Sequence, residues 1–140
     1  MSRRIVAMLA LVILSMVSTA CAKQSSSVQL APESALPDMV KSAPASVRTA
    51  YQFALAHPDA LENVPCYCGC GSIGHHSNLA CYVKNMNENG KVVFDNHALG
   101  CSICVDIALD VMKMTEQGKP ADQIRTQIVS AYSSFGPANQ

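Results

Sequence analysis

Residues 64–81 read VPCYCGCGSIGHHSNLAC. Cys66, Cys68 and Cys70 alternate with Tyr67 and Gly69, His75 and His76 follow as a pair, and Cys81 closes the stretch. Two cysteines one residue apart are poorly placed to bridge each other, because a disulfide demands a narrow torsion as well as a Cα separation of about 4.4–6.8 Å. Each therefore needs a partner from elsewhere in the chain. Gly69, Gly71 and Gly74 free the backbone to turn, so several sulfurs can converge on one point. Glycine at this density reads as a loop, and the rest of the fold has to be assembled around it.

Helical patterns lie on both sides of that loop. Ser46 is a good N-cap, and Val47, Ala50, Tyr51, Ala54 and Leu55 recur at helical spacing until Pro58 ends the run. A second short turn follows through Ala60, Leu61 and Val64. After the loop, Ser77 caps a short helix expected over Asn78–Lys84, residues 85–91 form a turn, and residues 91–94 are a short extended piece. A long helix is expected from about Leu99 to Gln117, stopped by Gly118, with Pro120 introducing a last helix over about Ala121–Tyr132. Ile124, Ile128 and Ala131 should face inward on that last helix. The expected fold is all-α: a small bundle of three to four helices around an irregular Gly/Cys-rich loop.

The long helix carries the second cysteine group, Cys101-Ser102-Ile103-Cys104, at its start. Residues three apart share a helix face, so both sulfurs point the same way. The free N–H groups of a helix N-terminus also favour thiolate over thiol. His97 just precedes this helix and reads equally as a ligand or a turn residue. Met112 and Met114 read as core filler, Asp106 and Asp110 as the solvated face, and His57 as a surface residue at a helix end.

The N-terminus points to export. Ser2-Arg3-Arg4 is a short basic head, and residues 5–17 are apolar except for Ser15. Thirteen helical residues rise only about 20 Å, against a hydrocarbon core of about 30 Å, so this is the core of a signal peptide and not a membrane span. Ser18-Thr19-Ala20-Cys21 resembles a lipobox with Ser18 in place of the usual Leu, which makes Cys21 the lipidated (palmitate-bearing) first residue of the mature chain. The expected organisation is a lipoprotein signal peptide (1–20), a Ser/Ala/Pro-rich flexible tether (21–45) and a cysteine-rich helical domain (46–135). Such a protein sits in the cell envelope, anchored to a membrane and facing the extracytoplasmic side, where thiols tend to oxidise.

Composition bounds the function. Formal net charge is zero and no basic stripe appears, which argues against nucleic acid as a partner. The chain has four Tyr, three Phe and no Trp, so its core needs reinforcement from elsewhere. No Ser–His–Asp set, paired-carboxylate site or phosphate loop is present, so no enzyme is expected.

Three chemistries compete for the six cysteines beyond the anchor. One is a metal site: thiolates are soft ligands that select Cu(I) and Zn, and close C-x-C spacing suits a low-coordinate ion or a multi-metal thiolate cluster. Zn would use four ligands, which Cys68, Cys81, Cys101 and Cys104 could supply. The surplus of Cys, His and Met tilts the reading towards copper(I) in metal homeostasis or delivery. The second is three disulfides stapling a structural or adaptor domain that holds no metal, each bridge worth about 2–5 kcal/mol. The third is a thiol-disulfide oxidoreductase using Cys101-x-x-Cys104, for which the usual βαβ context is missing. On the metal reading the ligands are Cys66, Cys68, Cys70, Cys81, Cys101 and Cys104, assisted by His75.

Pro65–Cys70 reads PCYCGC, followed by Gly71, His75, Ser77, Asn78, Leu79 and Cys81, and later by Cys101-x-x-Cys104 with DIALDVMKM. This pattern closely resembles the PCYCGC-motif bacterial lipoproteins over about residues 46–133. The resemblance implies an exported, lipid-anchored protein with a cysteine-rich, metal-binding domain. His76, which doubles the motif histidine, departs from the family pattern.

Overall fold

The computed structural model describes residues 27–87, 89 and 91–139. Five α-helices, several single 3-10 turns and one hairpin make up these residues: α1 Asp38–Lys41, α2 Ala45–Ala56, α3 Pro58–Glu62, β1 Val83–Met86, β2 Val92–Phe94, α4 Ser102–Glu116 and α5 Ala121–Tyr132. None of the described helices is long and apolar enough to cross a membrane.

The fold is therefore mixed α/β and not the expected all-α bundle. The predicted helix over Asn78–Lys84 is only a 3-10 turn, Leu79–Cys81, after which the chain extends into β1. β1 pairs with β2 in an antiparallel hairpin with Val83 opposite Phe94, Asn85 opposite Val93 and Met86 opposite Val92. The side chain of Asn87 holds the connection, its Oδ1 accepting from the backbone N–H of Asn89 at 3.2 Å and of Lys91 at 2.7 Å. Asn-Gly between β-branched and aromatic residues is a hairpin signal, and Asn89-Gly90 stands between Tyr82-Val83 and Val92-Val93-Phe94. The pairing of two short strands outweighs the weak helical pattern of the first.

Helix boundaries follow local chemistry. α2 begins two residues earlier than Ser46 allows as a cap: extended Pro44 is the cap, and its carbonyl accepts the first helical bond from Arg48 at 3.1 Å. His57 leaves the helical conformation before Pro58 (φ −134°, ψ 55°) and ends α2, and Pro58 opens α3 at a position where no N–H is needed. α4 starts at Ser102, because His97–Leu99 is a separate 3-10 turn and extended Cys101 is the cap. Its end is a Schellman motif: Lys119 N–H donates to Met114 O (3.1 Å) and Gly118 N–H to Thr115 O (2.9 Å), with Gly118 at φ +69°.

The core lies where α2 packs on α4 and α4 on α5. α2 contributes Ala50, Tyr51, Phe53 and Ala54, and α4 contributes Ile107, Ala108 and Val111, all fully buried. α5 adds Ile124, Ile128 and Tyr132, while Ala131, expected inward, is exposed and Tyr132 takes the inward position. Within the expected tether, Leu36 and Val40 belong to this core, and Ala31 and Gln52 exchange two hydrogen bonds at 3.2 and 2.7 Å. Cys21 and the expected signal peptide lie outside the described residues. The core ends at Cys66, Cys81 and Cys104, each buried to 0% exposure.

Candidate metal centre

Three pieces of chain deliver sulfur to that end of the core. The loop after α3 brings Cys66, Cys68 and Cys70; the 3-10 turn before β1 brings Cys81; the N-cap of α4 is Cys101, and its first turn holds Cys104. All six cysteines are free thiols. Cys104 Sγ is the hub, 3.3 Å from Cys66 Sγ, 3.2 Å from Cys81 Sγ and 3.3 Å from Cys101 Sγ. Cys81 and Cys66 close the inner triangle at 3.6 Å. A tetrahedral site with Zn–S bonds of about 2.3 Å places its sulfurs about 3.8 Å apart, whereas a disulfide needs about 2.05 Å. The separations of 3.2–3.6 Å are well beyond a disulfide bond and shorter than that metal–thiolate edge.

The backbone around the triangle is fixed by side chains that sequence reading did not single out. Tyr82 OH and Asn78 Nδ2 both donate to the carbonyl of Cys104, at 2.7 and 3.2 Å. Asn78 is fully buried, its Nδ2 3.9 Å from Cys66 Sγ, and its Oδ1 has no hydrogen-bond partner among the described residues. Asn139 returns from the C-terminal segment, its backbone N–H donating to Cys66 O at 2.9 Å and its Nδ2 to Cys68 Sγ at 3.3 Å.

Electrostatics tie the thiols into one unit. Contact with the Cys104 and Cys81 sulfurs holds Cys66 far below the ordinary thiol range, against the opposing effect of burial. Contact with Cys66, then Cys81 and burial, holds Cys104 far above it. Cys81 is pulled down by Cys104, but Cys66, burial and the charges of Cys66 and Cys68 outweigh that pull and raise it. Burial pushes Cys68 up to about 11. Burial and mutual contact thus make it costly to ionise the inner thiols together, a cost that a cation would relieve.

Nitrogen donors flank the sulfurs. His75, buried at 6% exposure, aims Nδ1 at Cys81 Sγ (3.8 Å) with Nε2 3.5 Å from Asp95 Oδ2. His97, from the 3-10 turn before α4, places Nε2 3.4 Å from Cys70 Sγ. The Asp95 carboxylate also accepts from the backbone N–H of His97 at 2.7 Å, so one side chain faces the His75 ring and holds the main chain of His97. His76 is exposed, and His57 is spent on the Gln29 carbonyl at 2.8 Å. Met112, eight residues past Cys104 on α4, lies about 12 Å along the helix axis.

The donors form three mutually close sets, with ligand atoms within 4.8 Å of one another: Cys66, Cys68, Cys81 and Cys104; Cys68, Cys70, His75 and His97; and His97, Cys101 and Cys104. Each set can hold a metal ion, and their sulfur and imidazole donors match soft and borderline metals. The seven ligands expected from sequence all fall within these sets, and His97 joins them.

The chain matches the family described as "Protein of unknown function with PCYCGC motif" over residues 10–138 and belongs to it. No curated protein and no solved structure matches the chain.

Proposed function

We propose that this member of the PCYCGC family is an exported, lipid-anchored protein that binds Cu(I) on cysteine thiolates for metal homeostasis or delivery. Cys104 carries the reading: its sulfur meets three other sulfurs at 3.2–3.3 Å. A disulfide satisfies each sulfur with one partner. A sulfur with three close sulfur neighbours is arranged as a ligand in a shared thiolate shell. Copper(I) is favoured because the innermost donors are all soft sulfur. Zinc is the second choice, since the first set also offers four thiolates for a tetrahedral ion.

The N-terminal sequence supports the rest of the proposal. Ser2-Arg3-Arg4, the apolar run to Val17 and Cys21 after small residues support a domain on the extracytoplasmic side of a membrane, held through Cys21. Its partners are the metal ion and the membrane, with no nucleic acid and no catalysed reaction. The rival chemistry with a specific observation behind it is thiol redox, because Cys101 and Cys104 meet at 3.3 Å at the start of a helix.

Anaerobic competition for Cu(I) against a chromogenic Cu(I) chelator tests the proposal. The reduced protein is expected to withdraw Cu(I) from the chelator and to gain ultraviolet thiolate-to-copper absorption. Failure to compete, with rapid oxidation to a Cys101–Cys104 disulfide instead, would favour the redox rival.

A further inference from the structure

The cluster holds more donors than one ion can use. The three sets together comprise Cys66, Cys68, Cys70, Cys81, Cys101, Cys104, His75 and His97. A four-coordinate ion takes only four ligands. The sets also interlock through single residues: Cys68 belongs to the first and second, Cys104 to the first and third, and His97 to the second and third. A thiolate sulfur has more than one lone pair, so a shared cysteine can bridge two ions.

The first two sets differ in donor chemistry and in depth. The first is all sulfur and contains the fully buried Cys66, Cys81 and Cys104. The second has two sulfurs and two imidazoles, and its Cys68, Cys70 and His97 are half-buried. Cys70 and His97 already face each other at 3.4 Å, and the His75 and His97 rings meet edge-on with centroids 4.8 Å apart. Asp95 stands 3.5 Å from His75 Nε2, behind that imidazole, and anchors the backbone of His97 by accepting its N–H at 2.7 Å. A carboxylate behind a ligating imidazole is how metal sites fix ring orientation. Asp95 is itself pinned by its backbone, which donates to Tyr82 O at 2.9 Å and accepts from Tyr51 OH at 2.8 Å.

We infer that Cys70, His75 and His97, with Cys68 as a bridging thiolate, form a second metal site on the solvent side of the buried sulfur site, so that the protein holds at least two ions. The inference rests on the metal-binding reading of the same cluster. The inner site is shaped for a soft ion kept from water, and the outer one for an ion that exchanges with its surroundings.

Native mass spectrometry of the exported protein tests it, after reduction, metal removal and anaerobic loading with Cu(I). The variants are Cys70→Ser and His97→Ala, both at half-buried positions, with far-UV circular dichroism to verify the fold. The wild type is expected to carry at least two copper ions, and each variant at least one fewer while keeping the inner one. A wild type that saturates at a single ion, with both variants unchanged, would overturn the second site and leave the metal-binding reading intact. Variants that load as many ions as a multiply loaded wild type would overturn the assignment to Cys70 and His97. No copper on any of the three would overturn both readings together.

Discussion

At the scale of single residues, the side chain that does most for the centre without being a strong donor to it is Asp95. One oxygen stands 3.5 Å from His75 Nε2, and the other accepts the His97 N–H at 2.7 Å. Removing such a carboxylate typically weakens metal binding by about 10–100-fold, through loss of ring orientation rather than of a ligand. Asp95→Ala is therefore expected to lower copper affinity within that range in chelator competition, while the backbone bonds of residue 95 keep the hairpin in place. Unchanged affinity would mean that Asp95 does not set the His75 ring for a metal. Cysteines and His75 were legible in the sequence because the motif concentrates them. Asp95, Asn78, Tyr82 and Asn139 were not, because each acts through a contact that only the folded chain creates: Tyr82 and Asn78 on the Cys104 carbonyl, and Asn139 on the Cys66 carbonyl from 73 residues away.

At the scale of elements, α2, α4 and α5 could be read from periodicity because each buries one face: Val47, Ala50, Tyr51 and Ala54 on α2, and Cys104, Ile107, Ala108 and Val111 on α4. The hairpin escaped because β1 and β2 are short and because Leu79–Cys81 supplies one real turn of helix that periodicity extends too far. α4 joins core to site, since the helix that carries Cys101 and Cys104 also buries Ile107 completely. Ile107→Ala is expected to cost about 2–5 kcal/mol, the range for deleting a large aliphatic side chain from a packed core. Denaturant unfolding of the metal-free protein measures it. A loss under 1 kcal/mol would mean that α4 is not held by this face.

At the scale of the whole molecule, the donors come from separate stretches: the loop at 66–75, the turn at 81, the turn at 97 and the helix start at 101–104. The centre exists only when α2, α4 and the hairpin are assembled, so an ion held there stabilises the fold by mass action. The segment upstream of α2 takes part as well, with Leu36 and Val40 in the core, although its Ser/Ala/Pro-rich composition reads as a linker. Composition reports average polarity, and two well-placed apolar residues are enough to seat a segment. The most direct test of the central claim is a native mass spectrum of the protein exported by its own host and purified without added oxidant or metal. The account predicts a mass above that of the reduced chain by one or more copper or zinc ions. A metal-free mass, short of the reduced chain by two hydrogens for each disulfide formed, would contradict it and make the cysteines staples.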